Sequence, residues 1–136
     1  MIKPIMKSEF FLRLPSEDAG PDDAATGQDL LDTLHEHEHE CVGLAANMIG
    51  VRKRIICVKD GNRALLMYNP QILEQVNAYQ TSEGCLSLAG EHPCTRYRRI
   101  KVEYLDENFV HRIKNFSGYT AEIIQHEIDH CQGIVI

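Results

Sequence analysis

The chain has 136 residues, 43% of them hydrophobic and 25% charged, which fits one soluble globular domain spanning 1–136. Its net charge of −6 sets nucleic acid aside as a partner, because phosphate recognition needs a basic surface. No window approaches the ~20 apolar residues of a membrane helix, so no membrane partner is expected.

The first residues, Met1-Ile2-Lys3-Pro4-Ile5-Met6, contain no apolar run of signal-peptide length. Five cysteines, an odd number, fit free or metal-bound thiols in a reducing cytoplasm better than a disulfide framework. Residues 15–27 hold two Pro, two Gly and four acidic residues and read as an exposed loop leading into a helix. That helix is predicted from Asp29 to about His39 on the pattern Leu30, Leu31, Leu34. Its end, His35-Glu36-His37-Glu38-His39-Glu40, does not follow one helical face and reads as a solvated helix end.

Val42 to Gly50 is rich in small residues, which let backbone approach backbone or ligand closely. Arg54 to Val58 reads as a short apolar strand, Asp60-Gly61-Asn62 as a turn, and Arg63 to Tyr68 as the returning arm, ended by Asn69-Pro70. Val76 to Ser82 reads as a further strand, leading into a loop at Glu83-Gly84-Cys85-Leu86-Ser87. Arg96-Tyr97-Arg98-Arg99 reads as the solvated entrance to a strand in which Ile100, Val102 and Tyr104 alternate with Lys101, Glu103 and Leu105. Phe109 to Lys114 pairs back as a hairpin, and Ser117 or Gly118 opens the last helix, stopped near Gly133. Helix, antiparallel strands, then helix is the order of an α+β domain.

The last helix carries His126-Glu127-Ile128-Asp129-His130, an H-E-x-x-H pentapeptide. Residues four apart share a helical face, so His126 and His130 can grip one metal ion while Glu127 lies beside it as a general base. A catalytic site of this kind needs a third protein ligand. The longer pattern that ends in a downstream His meets Ile136 at that position, so the ligand is expected upstream. Cys57 reads as a core residue and Cys131 as pointing off the ligand face. Cys85 is the leading candidate, beside Gly84 in a loop setting, with Cys94 and His92 behind it and Cys41 and His111 further back.

Three ordered segments resemble the peptide deformylase family: Gly43-Leu44-Ala45-Ala46-Asn47-Met48, Glu83-Gly84-Cys85-Leu86-Ser87 and Gln125-His126-Glu127-Ile128-Asp129-His130. The resemblance implies antiparallel β-sheets around a central metal-binding helix. It implies one divalent metal ion held by Cys85, His126 and His130, with Fe²⁺ most typical in the cell and Zn²⁺, Ni²⁺ or Co²⁺ accepted. The implied reaction removes the formyl group from formyl-methionyl peptides of new bacterial proteins. Glu127 is then the proton carrier, the Leu86 backbone N–H an oxyanion donor, and backbone at Gly43 the edge that pairs with the substrate peptide. Arg96 is expected to brace the metal helix through Asp129.

The chain departs from the family pattern at Met48, where the family carries a Gln that donates to the oxyanion. A thioether cannot donate a hydrogen bond. Loss of one such donor costs roughly 10²–10³ in rate, so weakened activity is expected. A deformylase-like amidase on another N-acyl substrate, or a non-catalytic metal-binding homologue, are the alternatives. Cys41 and Cys131 are smaller departures. Many relatives extend beyond the metal helix, in some to dock on the ribosome, and the lack of that segment here makes ribosome association doubtful.

Overall fold

A computed structural model describes residues 1–136. A short helix α1 (Glu9–Leu12) and a 3₁₀ turn (Pro21–Asp23) precede α2 (Ala24–Glu36). Five strands follow: β1 (Gly43–Ala45), β2 (Ile55–Asp60), β3 (Arg63–Cys85), β4 (Leu88–Leu105) and β5 (His111–Ser117). The chain closes with α3 (Gly118–Cys131). The strands pair antiparallel in sequence order, so hydrogen bonding joins them into one sheet with β1 and β5 at its edges. The α+β class expected from the sequence is the one observed. No helix is long and apolar enough to cross a membrane.

The core is one cluster of 24 buried apolar residues. Leu30 and Leu34 of α2, Ile55, Ile56, Cys57 and Val58 of β2, and Ile124 of α3 are all at most 1% exposed. Each large side chain buried this way contributes about 1.5–3 kcal/mol against its exposed state. β2 is apolar on both faces because α3 and α2 both pack against it. Cys57 is in this core, as its strand context predicts.

The main differences from the sequence reading lie in α2, β3 and β4; β5 runs from His111 to Ser117 instead of Phe109 to Lys114, and Gly43–Ala45 forms a short strand. α2 begins at Ala24, not Asp29, and ends at Glu36. Pro21 starts the preceding 3₁₀ turn, and the Asp23 carboxylate accepts the Gly20 N–H at 2.9 Å, so the acidic Pro-Gly stretch launches the helix rather than merely leading to it. His37–Glu40 is turn, and His35, Glu36, His39 and Glu40 are exposed, in line with a solvated end.

The largest correction concerns β3. Asn69-Pro70 does not end the strand; the chain continues to Cys85. Pairing with β4 skips from Tyr68/Leu105 to Gln71/Glu103, and this irregularity takes up the proline, which has no N–H for the ladder. Asn69 adopts φ +53°, a conformation Asn tolerates better than most residues, and its side-chain amide clamps Ala19 through both N–H and C=O at 2.7 and 2.9 Å. β4 likewise begins at Leu88, eight residues before Arg96, so Arg96 is mid-strand and 4% exposed rather than a solvated strand entrance.

α3 keeps the predicted bounds. Ser117 is its N-cap residue, and Gly133 at φ +78° follows its end. Ala121, Ile124 and Ile128 bury its apolar stripe, and the helix packs against β1, β2 and β4. Gln125 fixes it to β4: its Oε1 accepts the Tyr97 N–H at 2.9 Å and its Nε2 donates to the Tyr97 carbonyl at 2.8 Å.

Candidate metal centre

Cys85 stands at the last position of β3, in the hairpin where β3 turns into β4 and pairs with Leu88. It is therefore anchored in the ladder, not carried on a free loop as its glycine neighbour suggested. The hairpin brings its sulfur over α3. Its donor atom and those of His126 and His130 all lie within 4.8 Å of one another. His92 and Cys94 sit on β4 opposite Glu83 and Thr81, outside this group, and Cys131 is buried elsewhere in the core.

The donors fit a cation. Nε2 of His126 and Nε2 of His130 point at one another across 3.0 Å. Two imidazole lone pairs that close repel unless a proton or a metal ion lies between them. Nδ1 of His126 donates to Oε1 of Glu83 at 2.7 Å, which leaves Nε2 as the ligating atom. The Asn47 amide donates to the His130 carbonyl at 2.9 Å and ties the small-residue turn to the end of the metal helix.

The electrostatics follow from burial and from Glu83. Burial disfavours a charged His126, but hydrogen bonds with Cys85 and Glu83 outweigh it and push the ring up to about 10. Burial and the neighbouring His126 push His130 down to about 3. The pair thus holds one proton between its two rings. Burial pushes Glu127 up to about 7, against the pull of His126. Glu127 is 4% exposed and its Oε1 has no hydrogen-bond partner.

Glu83 is itself held by Arg96. Nε and Nη2 of Arg96 donate to the Glu83 carboxylate at 3.0 and 2.7 Å, and Nη1 donates to Asp129 at 2.7 Å. The Arg96–Asp129 brace expected from the sequence is present. Glu83 is the residue that sequence reasoning passed over, although it opens the E-G-C-L-S segment; a buried acid next to a ligand motif is the signal that points to it. Glu122, one turn before His126, was also passed over. It lies beside Glu83 and accepts a hydrogen bond from the Tyr79 hydroxyl at 3.2 Å.

A cleft of about 620 Å³ opens over this centre, lined among others by Gly43, Met48, Cys85, Leu86, His126 and Glu127. Six of the seven site residues predicted from the sequence line it; His130 does not, and is 1% exposed. Gly43 touches α3 directly: a Cβ there would stand 2.7 Å from Ile123 Cγ2 and 2.9 Å from Glu127 Oε2. Met48 is 1% exposed, and its sulfur accepts the Ala45 N–H at 3.4 Å. Cys41 donates its S–H to the Gly43 carbonyl at 2.9 Å, and burial pushes its thiol up to about 12.

One cysteine sulfur and two imidazoles converging beside an unpaired buried carboxylate are the parts of a mononuclear metallohydrolase. The polypeptide deformylase family matches residues 6–136, and the chain belongs to that family. It is 51% identical over its whole length, and over the whole of the relative, to a peptide deformylase of Clostridium beijerinckii. The fold is similar to the crystal structure of a peptide deformylase from Thermus thermophilus, with a TM-score of 0.89 at 33% identity over 99% of this chain and 84% of that one. It is also similar to a class I type b peptide deformylase of Acinetobacter baumannii crystallised with Met-Ala-Ser bound, with a TM-score of 0.87 at 28% identity over 99% and 96%.

Proposed function

We propose that this protein is a single-domain, metal-dependent peptide deformylase of the cytoplasm that removes the formyl group from formyl-methionyl peptides of new proteins. The observation that carries the reading is the convergence of Cys85, His126 and His130 beside Glu127 in a peptide-sized cleft, within a chain that matches deformylases end to end. Met-Ala-Ser, bound in the Acinetobacter relative, is what remains when formyl-Met-Ala-Ser loses its formyl group.

Cys85, His126 and His130 would hold the metal, with Fe²⁺ the ion favoured by the family and Zn²⁺ or Ni²⁺ compatible with the same donors. When bound, the ion supplies a Lewis acid and an acidified water. Glu127 takes the proton of the attacking water and delivers it to the departing amine of methionine. Its free Oε1 and its pKa of about 7 suit both halves of that task near neutral pH. The Leu86 backbone N–H meets the oxyanion that forms at the formyl carbon. β1 pairs with β2 alone, so the other edge of Gly43–Ala45 is free of strand partners and suits an extended peptide laid along it.

Met48 lines the cleft as a wall rather than as a donor, and turnover is correspondingly slow. The test is an anaerobic preparation with Fe²⁺ assayed on formyl-Met-Ala-Ser. Wild type turns over slowly, Glu127→Ala abolishes turnover with metal still bound, and Met48→Gln raises kcat by up to about 10²-fold. Metal-loaded protein inert in both wild type and the Gln variant rejects the reading. Cleavage of acetyl-Met-Ala-Ser in preference to the formyl peptide assigns the site to another N-acyl substrate.

A further inference from the structure

The N-terminal segment is tied along α2 and then reaches the cleft. The Met1 ammonium pairs with Asp29 at 2.9 Å and with Asp32, and the Lys3 N–H donates to Thr33 Oγ1 at 2.9 Å. The next two contacts fall on the two residues that the deformylase reading places around the oxyanion. The Met6 N–H donates to the Met48 carbonyl at 2.7 Å, and the Lys7 ammonium donates to the Leu86 carbonyl. Consecutive residues of one segment therefore fasten both walls of the cleft, 42 and 79 positions away in the chain.

The charge at this point is unusual for the cleft. Its lining includes Glu40, Glu83, Glu91, Glu122 and Glu127 and contains no Lys or Arg. Arg96 neutralises Glu83 and Asp129 from behind. The cleft lining thus supplies an oxyanion with no cationic side chain beyond the bound metal ion, and Met48 offers it no donor. Lys7 is the cation that reaches the hairpin carrying the remaining backbone donor.

We infer that Lys7 is a positioning residue for deformylation: by holding the Leu86 carbonyl it fixes the Cys85–Ser87 turn, so that the Leu86 N–H faces the oxyanion without the help a Gln at position 48 would give. The inference rests on the deformylase reading. Lys7 touches neither substrate nor metal, and acts through Leu86. Its side chain is exposed, so salt screens its charge and its effect is modest. Because the contact is needed when the oxyanion forms, its loss falls on kcat and leaves KM in place.

The experiment compares Lys7→Met, Lys7→Arg and Lys7→Glu in the Fe²⁺-loaded protein on formyl-Met-Ala-Ser, each in wild-type and Met48→Gln backgrounds. Lys7→Met lowers kcat about two- to fivefold with KM and metal content unchanged, the scale of an exposed charged contact. Lys7→Arg restores most of the rate, and Lys7→Glu lowers it further. In the Met48→Gln background the Lys7→Met loss shrinks, because a second donor shares the load. Rising salt lowers kcat of the wild type and leaves Lys7→Met unaffected. Unchanged kcat in Lys7→Met overturns the inference, as does a loss that Arg does not restore or that is equal in both backgrounds. Should the Met48→Gln protein not fold, the Met, Arg and Glu series and its salt dependence decide alone. If wild type and Met48→Gln are both inert, the deformylase reading fails and the inference fails with it; if wild type alone is inert, the Lys7 series is read in the Met48→Gln background, where an unchanged kcat in Lys7→Met overturns the inference.

Discussion

Glu83 Oε1 lies 2.7 Å from Nδ1 of His126, inside a pocket where both side chains are under 10% exposed. That contact selects the tautomer that frees Nε2 and makes the ring a better ligand. Glu83→Gln keeps the shape and removes the charge. Metal affinity is expected to fall about 10- to 100-fold, the usual cost of losing such a partner. Competition with a chelator of known affinity measures it, and an unchanged affinity would refute the role given to Glu83.

Arg96 reaches Glu83 through two nitrogens, and it bonds Asp129 as well. Removing it strands a buried carboxylate. Arg96→Met is expected to destabilise the fold by roughly 3–5 kcal/mol, the scale of a broken buried pair. The same pair predicts the acid response. Burial works to raise Glu83, but His126 and Arg96 together hold its carboxyl well below the usual carboxylate range. Its folded pKa is lower than its unfolded one, so it stabilises the fold above about pH 4.3 and loses that contribution as the pH falls further. In thermal melts across pH 2–7 the gap between wild type and Arg96→Met should narrow as the pH falls from about 4 toward 2.

These two residues mark how far the sequence could be read. The pentapeptide and the E-G-C-L-S segment were legible because each ligand motif is local: helical spacing alone brings His126 and His130 together. Arg96 was legible only as a partner of Asp129, since its mid-strand burial depends on a β4 that starts eight residues earlier than its alternation suggests. β3 was misread at Asn69-Pro70 because a proline that breaks a ladder and one absorbed at a bulge look alike until the pairing strand is known. Glu83 and Glu122 were missed because their meaning is tertiary: Glu83 reaches from β3 to the His126 ring, and Glu122, one turn earlier on α3, lies against Glu83 and Tyr79.

Gly43→Ala tests the contact between β1 and α3. The added Cβ meets Ile123 Cγ2 and Glu127 Oε2 at under 3 Å, and both belong to a helix fixed by Gln125 and Asn47. Something must shift, and the Glu127 side chain is the more movable of the two. We expect kcat to fall at least tenfold, as a misplaced proton carrier loses much of its ~10²–10⁴ contribution, with a smaller change in metal content. Loss of metal equal to the loss of rate would instead place the damage at the ligands.

Metal uptake should release protons. His126 is raised to about 10, so at neutral pH its ring pair holds a proton that the ion must displace. Because that folded pKa is raised, the proton is fully bound well below 10 and its competition weakens as the pH climbs toward 10. Apparent affinity for Zn²⁺ or Co²⁺ should therefore rise with pH across 6–9. Titration in a weakly buffered dye solution should show acidification at each addition. In His126→Ala the proton pair is gone and one ligand with it, so both the affinity and the proton yield should drop together. Binding that is independent of pH over this range would mean that the nitrogen pair is not where the ion sits.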